Sequence, residues 1–522
     1  LKRSGMLNIL AAACEALAAI AFFCALALTL ILWQPARPAW GFLIHVLTLA
    51  LFLMAFLANV FYGKKMRLPF SAPEIILFLI FIHACANAAL SRTPFRVLEI
   101  LPFILSGFFL FYASGGILAK RHEAMIPLFY LFLAAFIFLT WRGGHKDIWM
   151  PQGRRTAFYR GEKMASAALA EKPLQGCGLG SLPLYAFKYL PMPDRNPPAF
   201  RSSYGVILAE FGFIGAFLWC LFFAVLFYAV VNGLGNMPSP ASKAWYVFFW
   251  SGAFLLFLIF MSGFFSPILS TPAGLYMILP LCGILWGMTR GDGGDARQPA
   301  SHKSHSRRAR KIFVIIAAML ILTLLVFQAI PFIASSLIHF RTTNELESPA
   351  FGRRANLAAR LFPCHPEVHL AYAKHLRALP SLQKSSSAYV KAAYLRAIHW
   401  NPHAESIYME YGHFLDLIKE QKSLASLLEA GKSNCPGSVE IRLFLFRAYM
   451  NLGKRKAALD ELDALSSFYP VDYAVQFRIG KYYAEAGANS ASQEAYALAE
   501  QMRAYTIGGK TAGKDTKAAG KK

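Results

Sequence analysis

Acidic residues are scarce in this chain: 28 Asp and Glu stand against 53 Lys and Arg in 522 residues, a formal net charge of +25. Charge of either sign is scarce too, at 16% of residues, where a soluble domain carries about 25%. With 56% hydrophobic residues, that shortage excludes a soluble globular enzyme and a disordered chain. Cysteine is also sparse. The eight cysteines have no framework spacing, which excludes a secreted disulfide scaffold. Cys14, Cys24, Cys85, Cys220 and Cys282 lie in or beside apolar runs and read as small buried hydrophobes. Cys364 and Cys435 close repeat units two apart, too far separated for a disulfide, so free thiols are expected. There is no Cys-x-x-Cys and no His-Glu-x-x-His, so nothing argues for zinc, and no cofactor is expected.

What the chain does have is long apolar runs. A bilayer core asks for about 20 apolar residues per helix. Nine runs qualify, at 8–33, 40–61, 73–90, 98–118, 124–141, 204–230, 244–265, 272–288 and 312–337. The first is too long for the apolar part of a cleaved signal peptide, about 7–15 residues. With the N-terminus inside, the inside loops hold fifteen Lys and Arg, seven of them in the basic loop 289–311, and the short outside loops hold three. That bias orients nine spans with the C-terminus outside. The basic run His302–Lys311 abuts a long apolar run and reads as a topology anchor, not a nucleic-acid site.

After residue 338 the composition turns to that of a soluble helical protein. Pro366, Pro402, Pro436 and Pro470 recur at spacings of 36, 34 and 34. The last two match the tetratricopeptide period of about 34 residues. Leu445, Ala448, Tyr449, Gly453, Ala458, Leu462 and Leu465 fill the pattern of one unit, and Ile479, Gly480, Tyr483, Gly487, Tyr496 and Ala499 repeat it in the next. The expected fold is therefore all-α: a polytopic membrane protein of about nine spans, followed by an α-solenoid. The expected divisions are 1–141 (five spans), 142–203 (a large outside loop), 204–337 (four spans), 338–507 (repeats) and 508–522 (a disordered basic tail). The solenoid is either a self-stacking spacer or a docking surface for a protein or peptide.

The outside loop breaks the charge rule. Residues 142–203 hold ten Lys and Arg against four acids. Long loops cross a membrane with little regard for charge, so topology does not account for the cluster, whereas an anionic ligand does. Arg154, Arg155 and Arg160 lie on a helix-like stretch, followed by Lys172 and the glycines Gly176, Gly178 and Gly180; Arg195 and Arg201 come later. Guanidinium forks suit a pyrophosphate; contact with lipid headgroups is the plainer use. The glycines follow no strand, so they read as close-packing positions rather than a dinucleotide loop. His45 and His83, inside apolar runs, read as hydrogen-bonded packing residues.

In its motifs this loop resembles the O-antigen ligase and polymerase superfamily of bacterial inner-membrane glycan transferases. That family shows an arginine, a helix, and a Pro-Leu-x-Gly-x-Gly-x-Gly stretch. A His then precedes Asn, Ser or Gln, nine residues, Gly, two residues, and Gly, Thr or Tyr. Arg160 fits the arginine, Pro173 to Gly180 fit the glycine stretch, and Ser202, Gly212 and Gly215 fit the signature spacing. Arg201 stands where the family has His. The resemblance spans roughly residues 90–265, and some family members are similar in having a C-terminal tetratricopeptide extension.

The resemblance implies inverting, metal-independent transfer of a glycan from an undecaprenyl-pyrophosphate carrier on the periplasmic face. The acceptor would be a lipid, a glycan or a protein, and a periplasmic protein could dock on the repeats. Arg154, Arg155, Arg160, Lys172 and Arg195 would hold the pyrophosphate. Arg201, Glu210 and Tyr204 are the candidate catalytic residues. Arginine cannot take a proton near neutral pH, since its pKa exceeds about 12, so Glu210 or Asp194 would have to, with Tyr204 positioning the acceptor. The rival expectation is a catalytically degenerate membrane anchor for the repeat scaffold.

Overall fold

The computed structural model describes residues 9, 10, 13, 14, 17, 72–91, 93–117, 152–189, 202–235, 243–262, 272–289, 329–339, 343–379, 387–470 and 472–503. The expected spans at 40–61 and 124–141, His45, Arg195, Arg201 and the expected tail 508–522 lie outside the described residues, as do most of 8–33 and 312–337. Within the description the chain is all-helical. It divides into two units, 1–182 with 199–341 and 353–364, and 183–198 with 342–352 and 365–522.

The first unit includes the apolar helices α1 (Ala72–Leu90), α2 (Pro94–Ile117), α4 (Ser203–Gly235), α5 (Lys243–Ser262) and α6 (Pro272–Thr289), with the more polar α3 (Gln152–Glu171) between α2 and α4 in the chain. All but α3 coincide with expected spans. Ala72–Leu90 and Ser203–Asn232 are, among the described residues, long and apolar enough to cross a membrane by length and composition. Their shared core includes Ile80, Ala84, Phe111, Phe222, Leu255 and Leu285. Small residues bring the helices close: a β-carbon on Gly252 would meet Leu285 Cδ2 at 2.9 Å, and one on Gly107 would strike Leu279. Large apolar side chains also face outward, among them Phe78, Ile82, Phe217, Phe227, Trp250 and Phe254. Soluble surfaces rarely carry so much.

α3 differs in character. Gly161, Met164, Ala165 and Ala168 recur at helical spacing and are buried, while Glu162, Lys163 and Glu171 are exposed. It packs this narrow face on α4. Pro173, which can neither continue the ladder nor leave its predecessor helical, stops it.

The second unit is a solenoid of helix pairs: α7 (Pro366–Ala378) with α8 (Ser387–Trp400), α9 (Glu405–Leu417) with α10 (Gln421–Asn434), α11 (Val439–Asn451) with α12 (Arg455–Phe468), and α13 (Tyr473–Glu485) with α14 over 489–503. Ala448, Ala458, Leu462 and Leu465 are buried within one unit; each buried leucine contributes about 1.5–3 kcal/mol. Successive units are stitched in register. Tyr449 donates to Glu429, and 34 residues later Tyr483 donates to Asp463. The repeat glycines divide by role. Gly412 and Gly480 sit under Phe444 and Tyr496, whereas Gly453 and Gly487 take positive φ (73° and 71°) in the turns between paired helices. Cys364 and Cys435 are free thiols.

Candidate functional site

The apolar run 204–230 reads as one helix, but α4 is interrupted at Gly212 (φ 68°, ψ −173°). An interrupted helix leaves carbonyls and N–H groups without their usual partners. Here the stretch after α3 fills the gap. Cys177 and Gly178 donate their N–H groups to the carbonyls of Ala209 (2.9 Å) and Glu210 (3.2 Å). Phe213 and Ile214 donate theirs to Pro173 (2.8 Å) and Leu174 (3.2 Å). Backbone thus lies on backbone with no side chain between.

The glycines are what allow this approach. A β-carbon on Gly176 (φ 75°) would land on the Glu210 carbonyl, and one on Gly212 would land on that of Leu174. One on Gly178 would sit 2.5 Å from Ser91 Oγ, and one on Gly180 would strike Ile100. Gly215 lies one turn beyond Phe211, whose side chain occupies the space its β-carbon would need.

α1 completes the arrangement with a polar stripe at four-residue spacing. His83 Nε2 is 2.9 Å from the Phe211 carbonyl. Asn87, buried at 4%, donates to the carbonyls of Gln175 (2.5 Å) and Glu210 (3.3 Å). Ser91 Oγ donates to the Cys177 carbonyl at 3.4 Å. Just beyond, Thr93 Oγ1 donates to Ser181 Oγ at 2.7 Å, and both residues are fully buried. None of Asn87, Ser91, Thr93 and Ser181 stands out as a motif, yet the stripe at 83, 87 and 91 on an apolar helix was a readable signal.

Glu210 is 7% exposed, and its Oε1 accepts the N–H of Leu182 at 3.3 Å, with the Gly180 N–H also directed at the carboxylate. Its carboxylate therefore faces the end of the glycine stretch, one residue before the segment that belongs to the solenoid. Ser202 caps α4, its Oγ accepting the Gly205 N–H at 3.4 Å. Tyr204 donates its hydroxyl to the Phe260 carbonyl of α5 at 2.8 Å, with the rings 5.4 Å apart. Burial, with the charge of Glu210 beside it, pushes the Cys177 thiol well up, so it is no nucleophile at neutral pH.

The cations fall in different places. Arg160 is half-buried on α3, four residues before the buried Met164, and Lys172 is half-buried at the turn into Pro173. The backbone at Arg154 and Arg155 continues α3. So α3, the glycine stretch and the interrupted α4 come together, bringing Arg160, Lys172 and Glu210 into one unit. No group of three or more His, Cys, Asp or Glu among the described residues is placed to hold a metal ion. No family model matches the chain, and no curated protein is significantly similar to it.

Proposed function

We propose that this chain is a bacterial inner-membrane protein of about nine spans, with a cytoplasmic N-terminus and periplasmic repeats. Its proposed activity is transfer of a glycan from an undecaprenyl-pyrophosphate carrier to an acceptor hydroxyl on the periplasmic face. The observation that carries this reading is the glycine stretch lodged in the interruption of α4, with Glu210 facing it and Arg160 on the flanking helix. Non-helical backbone at membrane depth is tolerated where protein buries it or a cavity needs it, and membrane proteins place polar chemistry at such interrupted helices. A simple anchor requires neither the interruption nor the basic helix beside it.

Two contacts support the assignment of sides. Ser91 and Thr93, expected outside between two spans, bond to Cys177 and Ser181 of the loop also expected outside. Tyr204 and Phe260, both near the expected outer ends of their helices, meet as well. The outward apolar residues of α1, α4 and α5 suit lipid contact.

In the proposed reaction the acceptor oxygen attacks the anomeric carbon. The bond from that carbon to the pyrophosphate oxygen breaks, and the pyrophosphate leaves with the electron pair, held by Arg160, Lys172 and the other loop cations. The acceptor proton passes to a carboxylate, Glu210 or Asp194. Fixed cations at the leaving group supply most of the rate, since charge grows there. Arg160→Ala is expected to lower transfer by on the order of a hundredfold while the protein still accumulates in the membrane. Full activity in that variant would sink the pyrophosphate-clamp reading.

A second reading, a membrane anchor without transfer activity, draws on two features. Arg201 stands where the resembled family has its favoured base, and Glu210 is buried and engaged by backbone. Deleting the gene separates the readings. Altered surface polysaccharide, glycoprotein or carrier-lipid pools support the transferase; unchanged pools support the anchor.

A further inference from the structure

The chain that leaves the glycine stretch changes allegiance within a few residues. Leu182 ends its part of the membrane-helix unit, and Pro183–Pro198 belong to the repeat unit. Residues Ala186–Tyr189 form one helical turn there. Tyr185 and Ala186 are buried, at 3% and 5% exposure. The Tyr185 ring lies against the His403 imidazole with centroids 4.7 Å apart, and Tyr189 stacks with it at 5.9 Å. Phe187 packs on the core shared by α7 to α11, and its carbonyl accepts the Gly437 N–H at 2.9 Å.

The two seats are equivalent points of successive repeats. His403 and Gly437 are 34 residues apart, each directly after the boundary proline of its unit, Pro402 and Pro436. Each turn is braced. His403 Nδ1 is 2.8 Å from the Asn434 carbonyl, and Ser438 Oγ donates to Glu405 Oε1 at 2.6 Å. The aromatic segment is thus held by a ring at one turn and by a backbone hydrogen bond at the next.

We propose that the repeat domain is the receptor for this chain's own loop. Residues 184–189 are its ligand, seated across the turns at His403 and Gly437, and this seating holds the adjoining glycine stretch in place. Only two residues, Pro183 and Leu184, separate Leu182, whose N–H reaches Glu210, from Tyr185, whose ring meets His403. Fixing Tyr185 therefore removes most of the freedom of the chain on its N-terminal side. The repeats act on the loop whether or not the loop transfers a glycan.

Hydrogen exchange followed by mass spectrometry on the full-length protein in lipid nanodiscs tests this. Phe187→Asp places a charge in the apolar seat from the loop side, and Gly437→Pro deletes the N–H donor from the repeat side. Both are expected to raise exchange at least tenfold at amides 184–189, and with them at Cys177, Gly178 and Leu182. Amides 439–468 should stay protected; if Gly437→Pro exposes them, His403→Ala is read in its place. Faster exchange confined to 184–189 would overturn the claim that the seat holds the glycine stretch. Unchanged exchange at 184–189 in both variants would overturn the seat itself.

Discussion

Gly176 and Gly212 each occupy the space that the other's neighbourhood would need for a side chain. A β-carbon on Gly176 would lie 2.6 Å from the Gly212 nitrogen, and one on Gly212 would lie 2.6 Å from the Gln175 nitrogen. Both residues have positive φ, and at Gly212 the ψ of −173° adds a region that essentially only glycine enters. Gly212→Ala and Gly176→Ala are each expected to cost at least about 3 kcal/mol. Gly453→Ala, at similar φ with nothing within 4 Å, should cost only about 1–2 kcal/mol. Thermal unfolding of the detergent-solubilised protein ranks the three; equal losses would remove the close approach as the reason for glycine.

Asn87 gives two carbonyls their donor. Asn87→Leu strips both hydrogen bonds in a buried place and should destabilise by about 1–3 kcal/mol. Asn87→Asp should be worse, because a carboxylate would then face the Gln175 and Glu210 carbonyls. Hydrogen exchange at the Cys177 and Gly178 amides reads the effect directly, with Asp faster than Leu and Leu faster than the parent chain. Equal exchange in all three would mean that α1 does not hold the loop.

Periodicity carried the repeat architecture. Pro402, Pro436 and Pro470 mark one interval, and four helix pairs follow from it. The end of α3 was equally readable, because Pro173 acts on the backbone directly. The interruption of α4 was not, since hydrophobicity measures side chains and is blind to a single torsion inside an apolar run. Gly212 could be singled out only by spacing, and its partner Gly176 lies far off in sequence. The seating of Tyr185 and Phe187 was hidden for another reason. An apolar tetrapeptide has no period, and what it packs on depends on contacts more than two hundred residues away.

Arg201→His supplies the imidazole found in the signature that this stretch resembles. If proton acceptance limits the proposed transfer, activity should rise in this variant. Its rate should also climb through about pH 6.5, as a neutral imidazole becomes available. A rate and pH profile identical to the parent would assign the proton to another group, with Glu210→Gln as the next variant to assay.

In the repeats, Lys391 Nζ donates to both oxygens of Glu420, at 2.6 and 2.8 Å. That hydrogen bond holds the Glu420 carboxyl below its ordinary value near 4.5. A lowered acid pKa stabilises the fold above the unfolded value, and the contribution disappears as pH falls through the folded one. Lys391→Met should therefore weaken the repeats at pH 7, by less than about 1 kcal/mol for so exposed a pair. The difference should vanish in strongly acidic buffer. Urea unfolding at the two pH values, followed at the repeat helices by hydrogen exchange, provides the check.

The interruption at Gly212 also dictates an order of assembly. Among the described residues, every group that satisfies the severed backbone, from His83 and Asn87 to Pro173, Leu174, Cys177 and Gly178, precedes it in the chain. A ribosome therefore delivers the plug before the gap. When residues 203–235 emerge, the segments that fill their break have already been made. Moving the glycine stretch after α4 would preserve every contact on paper and lose that sequence of events.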